Sequence, residues 1–183
     1  MYNTFVLPPV TEPGAYPAGL VDYLLTEDRL TCDIIGDGTH VPHLGVEKAL
    51  RCKTSDRLVW VTDSNFGVAL PPGEYEAPGW GWIVVDGPNH GARMRVRQML
   101  LAGSALTPID ALRNAVHMFG KVLATASCLC SRTPARLMSL NKGEIAPGRD
   151  ADLILLDAEP ELLRTIVAGE FVYQRAQTPV RIG

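Results

Sequence analysis

The sequence predicts an α/β fold in which buried parallel strands end in polar residues, as they do at the mouth of an α/β barrel. Two apolar, strand-favouring runs, at 32–35 and 57–60, are each followed at once by polar side chains. Asp-Gly-Thr-His occupies 37–40, and Val-Thr-Asp occupies 61–63. That architecture carries its chemistry at the carboxyl ends of its strands, where an imidazole and a carboxylate suit proton transfer at a polarised carbonyl. The sequence therefore favours an enzyme.

The first half of the chain predicts one βαβ unit. A proline- and glycine-rich loop covers residues 1–20. The predicted elements that follow are a short helix at 19–25, a strand at 30–35, a helix at 41–51 and a strand at 58–62. The strand at 58–62 is almost continuously apolar, which is typical of a sheet buried on both faces. A glycine- and proline-rich stretch at 71–91, around a strand at 80–85, predicts a β excursion from this unit.

The second half predicts helices followed by a small β unit. Thr107 and Pro108 are typical of a helix start, with threonine as N-cap and proline at the first helical position. An apolar stripe at helical spacing follows, at Leu112, Ala115, Val116 and Phe119. The later predicted elements are helices at 121–130 and 134–140 and short strands at 152–156, 165–167 and 171–173.

Composition excludes several classes of partner. The 183 residues are 46% hydrophobic and 20% charged, as in a globular protein, and the net charge is −3. This charge provides no basic surface, so we expect no nucleic acid or membrane partner. No run approaches the roughly 20 apolar residues of a membrane span, and the N-terminus does not resemble a secretion signal. We therefore expect a cytoplasmic protein whose four cysteines are reduced thiols.

The segment at 142–153, Lys-Gly-Glu-Ile-Ala-Pro-Gly-Arg-Asp-Ala-Asp-Leu, resembles the closing β segment of the amidohydrolase superfamily. Asp-Gly-Thr-His, Val-Thr-Asp and Leu-Ala-Gly-Ser at 101–104 together are more specific. Their combination resembles the C-terminal half of the N-acetylglucosamine-6-phosphate deacetylases within that superfamily. This resemblance implies the C-terminal part of a (β/α)8 TIM-like barrel at 1–141 and strands of a small β-sandwich domain at 142–183.

The resemblance also implies a reaction and its residues. These enzymes hydrolyse the N-acetyl group of an amino-sugar phosphate, giving glucosamine 6-phosphate and acetate, with a metal-activated water. Asp63 matches the catalytic aspartate that takes a proton from the water and passes it to the leaving amine. His40 matches a histidine that hydrogen-bonds the substrate near the scissile amide. Further substrate contacts are implied at Asn3 and Thr4, and in a loop that closes over the sugar at Leu101, Ala102 and Gly103.

Two departures from the family pattern change what we expect of this chain. The family's metal ligands, a glutamate and two histidines on earlier strands, have no counterpart here. We therefore expect a C-terminal portion that is inactive alone, with a divalent metal (zinc or similar) and a homodimer only in the full-length parent. Thr11 stands where the family has an arginine that contacts the substrate phosphate. Threonine has no bidentate fork for phosphate, so the phosphorylation of the substrate stays open.

Several alternatives also stay open. The chain is alternatively a metal-free sugar-binding module, or another N-acyl amidohydrolase. His40 and His43 form a His-x-x-His pair without a third ligand, so a metal site there is disfavoured. Tryptophan in or beside a strand is more often a core residue than a sugar-stacking platform, and closely spaced cysteines on a helix are more often core than metal ligands. The residues concerned are Trp60, Trp80, Trp82, Cys128 and Cys130.

Overall fold

A parallel pair of strands positions the candidate residues in the computed structural model, which describes residues 12–14, 18–95 and 100–176. The elements are α1 (Leu20–Thr26), β1 (Cys32–Ile35), α2 (His43–Cys52) and β2 (Leu58–Val61). Cys32 pairs with Leu58 and Ile35 with Val61, so the two strands end level with each other. The predicted βαβ unit is confirmed, with α2 beginning after Pro42.

An antiparallel sheet of four strands follows β2. Its strands, in spatial as well as chain order, are β3 (Gly73–Ala77), β4 (Gly81–Val85), β5 (Ala92–Met94) and β6 (Leu100–Leu101). Side chains alternate between the two faces of such a sheet, so Ile83 is buried while the adjacent Trp82 is 45% exposed. Trp80, in the β3–β4 turn, is 39% exposed. The core prediction was therefore right for the buried Trp60 and wrong for Trp80 and Trp82.

Two helical segments come next in the chain. Helix α3 (Pro108–Arg113) runs directly into a π-helical turn at Asn114–Met118. Helix α4 (Leu123–Ser127), a π-helical turn at Cys128–Arg132 and helix α5 (Thr133–Leu137) then form one uninterrupted run. The sequence predicted two helices here, separated before Pro134. The wider π-helical turn lies just ahead of Pro134, where a proline lacking an N–H would disturb an α-helical ladder.

The helices pack on the parallel strands to form the main core. Its large buried members are Leu25, Ile34, Val46, Leu58, Trp60, Leu106, Leu112, Phe119 and Leu129. Cys130 packs against this core, and burial raises the pKa of its thiol to about 12, so it is an inert core group as predicted. All four cysteines are free. Among the residues that the structure describes, no helix is long and apolar enough to cross a membrane.

The last part of the described chain is an antiparallel sheet of β7 (Leu153–Leu156), β8 (Leu162–Val167) and β9 (Glu170–Gln174). These strands confirm the three predicted from the tail: β7 is one residue shorter than predicted, β8 begins three residues earlier, and β9 extends one residue further at each end. Leu156 packs against the main core, and Arg113 of α3 forms an ion pair with Glu161 at 3.1 Å. The sheet is thereby joined to the helical layer by both apolar and ionic contacts.

Replacing Thr107 with alanine is expected to lower the free energy of unfolding by about 1 kcal/mol. The Thr107 hydroxyl accepts a hydrogen bond from the Asp110 N–H at 3.3 Å, and the Asp110 carboxylate accepts one from the Thr107 N–H at 3.0 Å. This capping box satisfies two N–H groups that have no partner within α3. Urea unfolding followed by circular dichroism measures the change. Thr107→Ser keeps the hydroxyl and is the control, so equal losses in both variants would contradict the prediction.

Candidate active site

The loop after β1 is built around a buried carboxylate. Asp37 Oδ1 accepts hydrogen bonds from the backbone N–H groups of Thr39 and His40, each at 2.9 Å. Asp37 Oδ2 lies 2.6 Å from Nδ1 of the His40 ring. The side chain of Asp37 is 0% exposed and that of His40 is 5% exposed. The strand-end histidine predicted from the sequence is therefore part of a buried Asp–His pair.

The end of β2 turns sharply at the candidate catalytic aspartate. Asp63 is exposed and has φ of +48°, the left-handed region in which aspartate and asparagine are the commonest residues after glycine. Its carbonyl oxygen accepts a hydrogen bond from the Ser104 N–H at 2.9 Å. The fully buried Ser104 hydroxyl donates to the Thr62 carbonyl and accepts from the Leu106 N–H. These bonds hold the turn that presents the Asp63 carboxylate.

The segment at 101–103 is tied by its backbone to β5. The Ala102 N–H donates to the Ala92 carbonyl at 2.8 Å, and the Ala92 N–H donates to the Gly103 carbonyl at 3.1 Å. Leu101 is partly exposed, whereas Ala102 is buried. The segment is therefore held against the antiparallel sheet.

Gly91 and Gly103 show how closely the predicted residues approach each other. A Cβ atom on Gly91 would lie 3.4 Å from Cε1 of His40, 2.9 Å from Cδ2 of Leu101 and 3.4 Å from the Gly103 oxygen. A Cβ atom on Gly103 would lie 3.0 Å from the backbone carbonyl oxygen of Asp63. Both glycines also have positive φ, of +70° and +80°. The His40 ring, the backbone of Asp63 and the 101–103 segment thus lie close together at the carboxyl ends of β1 and β2.

Other predicted residues are not part of this geometry. Asn3 and Thr4, predicted to contact substrate, lie outside the described residues, as does Thr11. His43 is exposed and stacks on Phe119 with ring centroids 4.8 Å apart, an arrangement that engages its ring in packing. Within residues 12–14, 18–95 and 100–176, no group of three or more His, Cys, Asp or Glu side chains is arranged to hold a metal ion. The described residues therefore do not fit the metal that the resemblance implies, and no chemical step is assigned to it.

Sequence reasoning missed three polar residues that support the site. Asn114, buried in the π-helical turn after α3, donates to the Gly36 carbonyl at 2.8 Å and to Asn89 Oδ1 at 2.7 Å. The Asn89 carbonyl accepts a hydrogen bond from the Thr39 hydroxyl. Asp37 opens the Asp-Gly-Thr-His motif, and its position three residues before His40 is the one local signal of their pairing. No local pattern links Asn89 or Asn114 to the β1 loop, since each lies far from it in the sequence.

Ionisation of Asp37 is expected to make the free energy of unfolding depend on pH in the acid range. Burial alone would raise the pKa of this carboxyl, but hydrogen bonds from the His40 ring and from the His40 and Thr39 N–H groups outweigh it and lower the pKa. A carboxyl whose pKa is lower in the folded state stabilises the fold above its unfolded pKa, and loses that contribution as pH falls through the folded pKa. The difference in unfolding free energy between the wild type and Asp37→Asn should therefore shrink below about pH 4.

Urea unfolding at a series of pH values, carried out on both proteins, measures this difference. Asp33→Asn is the matched control, because it removes an exposed carboxylate from strand β1, four residues before Asp37. A difference between wild type and Asp37→Asn that stays constant from neutral to acid pH would contradict the prediction.

Comparison with known proteins supplies names for relatives of this chain. It is 31% identical over 162 residues to the N-acetylgalactosamine-6-phosphate deacetylase of Shewanella sp. strain ANA-3. It is 30% identical over 161 residues to an Escherichia coli K12 protein to which the same activity is assigned provisionally. The crystal structure of N-acetylglucosamine-6-phosphate deacetylase from Thermotoga maritima superposes with a TM-score of 0.77 at 27% identity.

The matches cover most of this chain but differing shares of the relatives. They include 87% of the chain for both the Shewanella and E. coli proteins and 90% for the T. maritima structure. The chain spans 39% of the Shewanella protein, 44% of the T. maritima chain and 90% of the E. coli protein. The sequence pattern of the amidohydrolase family matches residues 40–178, which include His40, Asp63 and the 101–103 segment. On this match, which extends over most of its length, the chain belongs to the amidohydrolase family.

Proposed function

We propose that this chain supplies the proton-transferring carboxylate and one wall of the substrate pocket for removing the N-acetyl group from an amino-sugar 6-phosphate. The observation that carries the proposal is the convergence of His40, Asp63 and the 101–103 segment at the carboxyl ends of a parallel strand pair. The names of the relatives support it, since they are deacetylases of N-acetylgalactosamine 6-phosphate and N-acetylglucosamine 6-phosphate.

Asp63 is the residue to which we assign proton transfer. As a water oxygen attacks the acetyl carbon, the Asp63 carboxylate takes a proton from that water. When the carbon–nitrogen bond breaks, Asp63 passes the proton to the departing amine nitrogen. Acetic acid and the free amino sugar result, and the carboxylate is restored; the acid then loses its proton to solvent as acetate. The exposure of Asp63 beyond the end of β2 leaves its carboxylate accessible to both the water and the sugar nitrogen.

The other predicted residues bind the sugar in this proposal. His40 hydrogen-bonds the substrate near the scissile amide, and the 101–103 segment, which like the His40 ring lies against Gly91, closes over the sugar. Asn3 and Thr4 contribute further substrate contacts. Residues 1–141 belong to the barrel that carries this pocket, and residues 142–183 belong to the small β domain.

Acetate release tests the proposal directly. The protein, expressed from its complete gene, is incubated with the 6-phosphates of N-acetylglucosamine and N-acetylgalactosamine and with both unphosphorylated sugars. Proton NMR then follows free acetate. We expect acetate from at least one phosphorylated sugar, at a higher rate than from its unphosphorylated counterpart.

Three other outcomes would contradict parts of the proposal. Equal rates with and without the phosphate would overturn the assigned substrate class and favour another N-acyl amidohydrolase. Saturable binding of a sugar phosphate without acetate release would favour a sugar-binding module. A protein that neither binds these sugars nor releases acetate from them would overturn the proposal as a whole.

A further inference from the structure

We propose that Asp37 is a positioning residue that holds His40 in the tautomer protonated at Nδ1, leaving Nε2 as the ring nitrogen available to a ligand. The tautomer follows from contacts within the chain. What Nε2 binds rests on the proposed function, in which His40 contacts the acetamido group of an amino sugar.

The hydrogen bonds around Asp37 determine which atom carries the proton. Oδ1 already accepts from two backbone N–H groups, those of Thr39 and His40. Such donors favour the ionised carboxylate, which has acceptors only. The 2.6 Å contact between Oδ2 and Nδ1 of His40 therefore requires a proton on Nδ1. A carboxylate that fixes the tautomer of a functional imidazole in this way is a recurrent device in proteins.

The surrounding loop keeps the ring in this orientation. The absence of a side chain on Gly91 leaves room for Cε1 of His40, which lies 3.4 Å from where a Cβ atom would sit. The hydroxyl of Thr39, next to His40, donates a hydrogen bond to the Asn89 carbonyl, and the side chain of Asn89 accepts one from the buried Asn114. The His40 side chain is 5% exposed, so rotation away from Asp37 would require this packed loop to open.

A fixed tautomer determines which part of a substrate Nε2 recognises. In the neutral ring Nε2 has a lone pair and accepts a hydrogen bond, from an amide N–H or a sugar hydroxyl. With Nδ1 protonated, Nε2 donates, to a carbonyl oxygen, only when the ring is doubly protonated. Neutral His40 is thereby selective for the donor side of an N-acetylamino sugar, and an ester analogue without the N–H group would lose this contact.

Nitrogen NMR of the 15N-labelled protein tests the tautomer without any substrate. Long-range 1H–15N correlation spectra distinguish protonated from unprotonated ring nitrogens. They are recorded at about pH 9, well above the ordinary imidazole pKa of about 6.5. The chain has four histidines, and His40→Gln identifies the signals of His40. We expect Nδ1 of His40 to be protonated and Nε2 to be unprotonated.

Substitution at Asp37 tests the cause. The amide of Asp37→Asn is able to donate to Nδ1, so this variant is expected to shift His40 toward the Nε2-protonated form. Asp33→Asn removes an exposed carboxylate of β1 and is expected to leave the spectrum unchanged. A wild-type His40 protonated at Nε2, or an unchanged pattern in folded Asp37→Asn, would overturn the inference. If Asp37→Asn does not fold, the wild-type spectrum alone decides.

Adding N-acetylglucosamine 6-phosphate or N-acetylgalactosamine 6-phosphate separates this inference from the proposed function. One outcome supports both the role of Asp37 and the proposed function. The sugar phosphate changes the Nε2 signal of His40, and its affinity falls at least several-fold in Asp37→Asn but not in Asp33→Asn. The expected tautomer without any response to either sugar supports the role of Asp37 and contradicts the proposed function. A response to a sugar by a His40 ring that is protonated at Nε2 supports the proposed function and contradicts the role of Asp37.

Discussion

Replacing Asp63 with asparagine is expected to lower kcat for acetate release by about 10²–10⁴-fold, the range typical of a lost general acid–base. An amide of nearly the same size cannot take a proton from water or return it to the departing nitrogen. The substrate contacts assigned to His40 and the 101–103 segment remain, so KM should change much less than kcat. Steady-state acetate release, measured by NMR for the wild type and the variant, each expressed from the complete gene, gives both parameters.

Asparagine is the appropriate replacement because of the backbone at this position. Asp63 has φ of +48°, a conformation that asparagine adopts more readily than most other non-glycine residues. The backbone bond from the Ser104 N–H to the Asp63 carbonyl is retained, so the turn should keep its shape. Asp86→Asn, at an exposed aspartate directly after β4, is the matched control and should leave kcat unchanged. A folded Asp63→Asn protein with more than a tenth of the wild-type kcat would contradict the assignment.

Replacing Gly36 with alanine is expected to cost about 3 kcal/mol of unfolding free energy or more, the upper part of the range for overpacked cores. A Cβ atom on Gly36 would lie 1.7 Å from Nε1 and 1.9 Å from Cε2 of Trp60. The indole cannot simply move, because Trp60 is 4% exposed and packs edge-on against Phe119 at 5.3 Å between ring centroids. Chemical unfolding followed by circular dichroism measures the loss.

Two further variants separate this clash from a general effect of alanine. Gly73→Ala adds the same methyl group at a position where the nearest atom, 3.3 Å away, belongs to the partly exposed side chain of Tyr75. This variant should change the free energy of unfolding by less than about 1 kcal/mol. In Gly36→Ala/Trp60→Leu the overlapping ring atoms are gone, so the double variant should be no less stable than Trp60→Leu alone. Additive losses in the double variant would show that steric overlap with Trp60 is not the cause.

The fold predictions succeeded where short-range pattern decides the structure. The apolar runs before 37–40 and 61–63 are strands β1 and β2, and Thr107 begins a helix with a capping box. They failed where tertiary packing decides. Trp82 lies on the solvent face of its sheet, an outcome without a distinct local signature because it depends on what the sheet packs against. The break predicted before Pro134 was also wrong, because a π-helical turn precedes that proline and the helical run continues through it.

By itself, the sequence determined that His40 and Asp63 follow neighbouring parallel strands, since a strand-ending polar motif is a local property of the chain. It also carried the family pattern that matches residues 40–178. Only the tertiary structure decided which groups surround these side chains. Asn89 and Asn114 form a hydrogen bond, and Trp60 packs beside Gly36, although the two residues of each pair are roughly 25 positions apart in the chain. Gly91 and His40, which also lie close together, are about twice as far apart in sequence. Spacing along the chain specifies the ends of strands, whereas contacts of this kind arise only when distant segments pack.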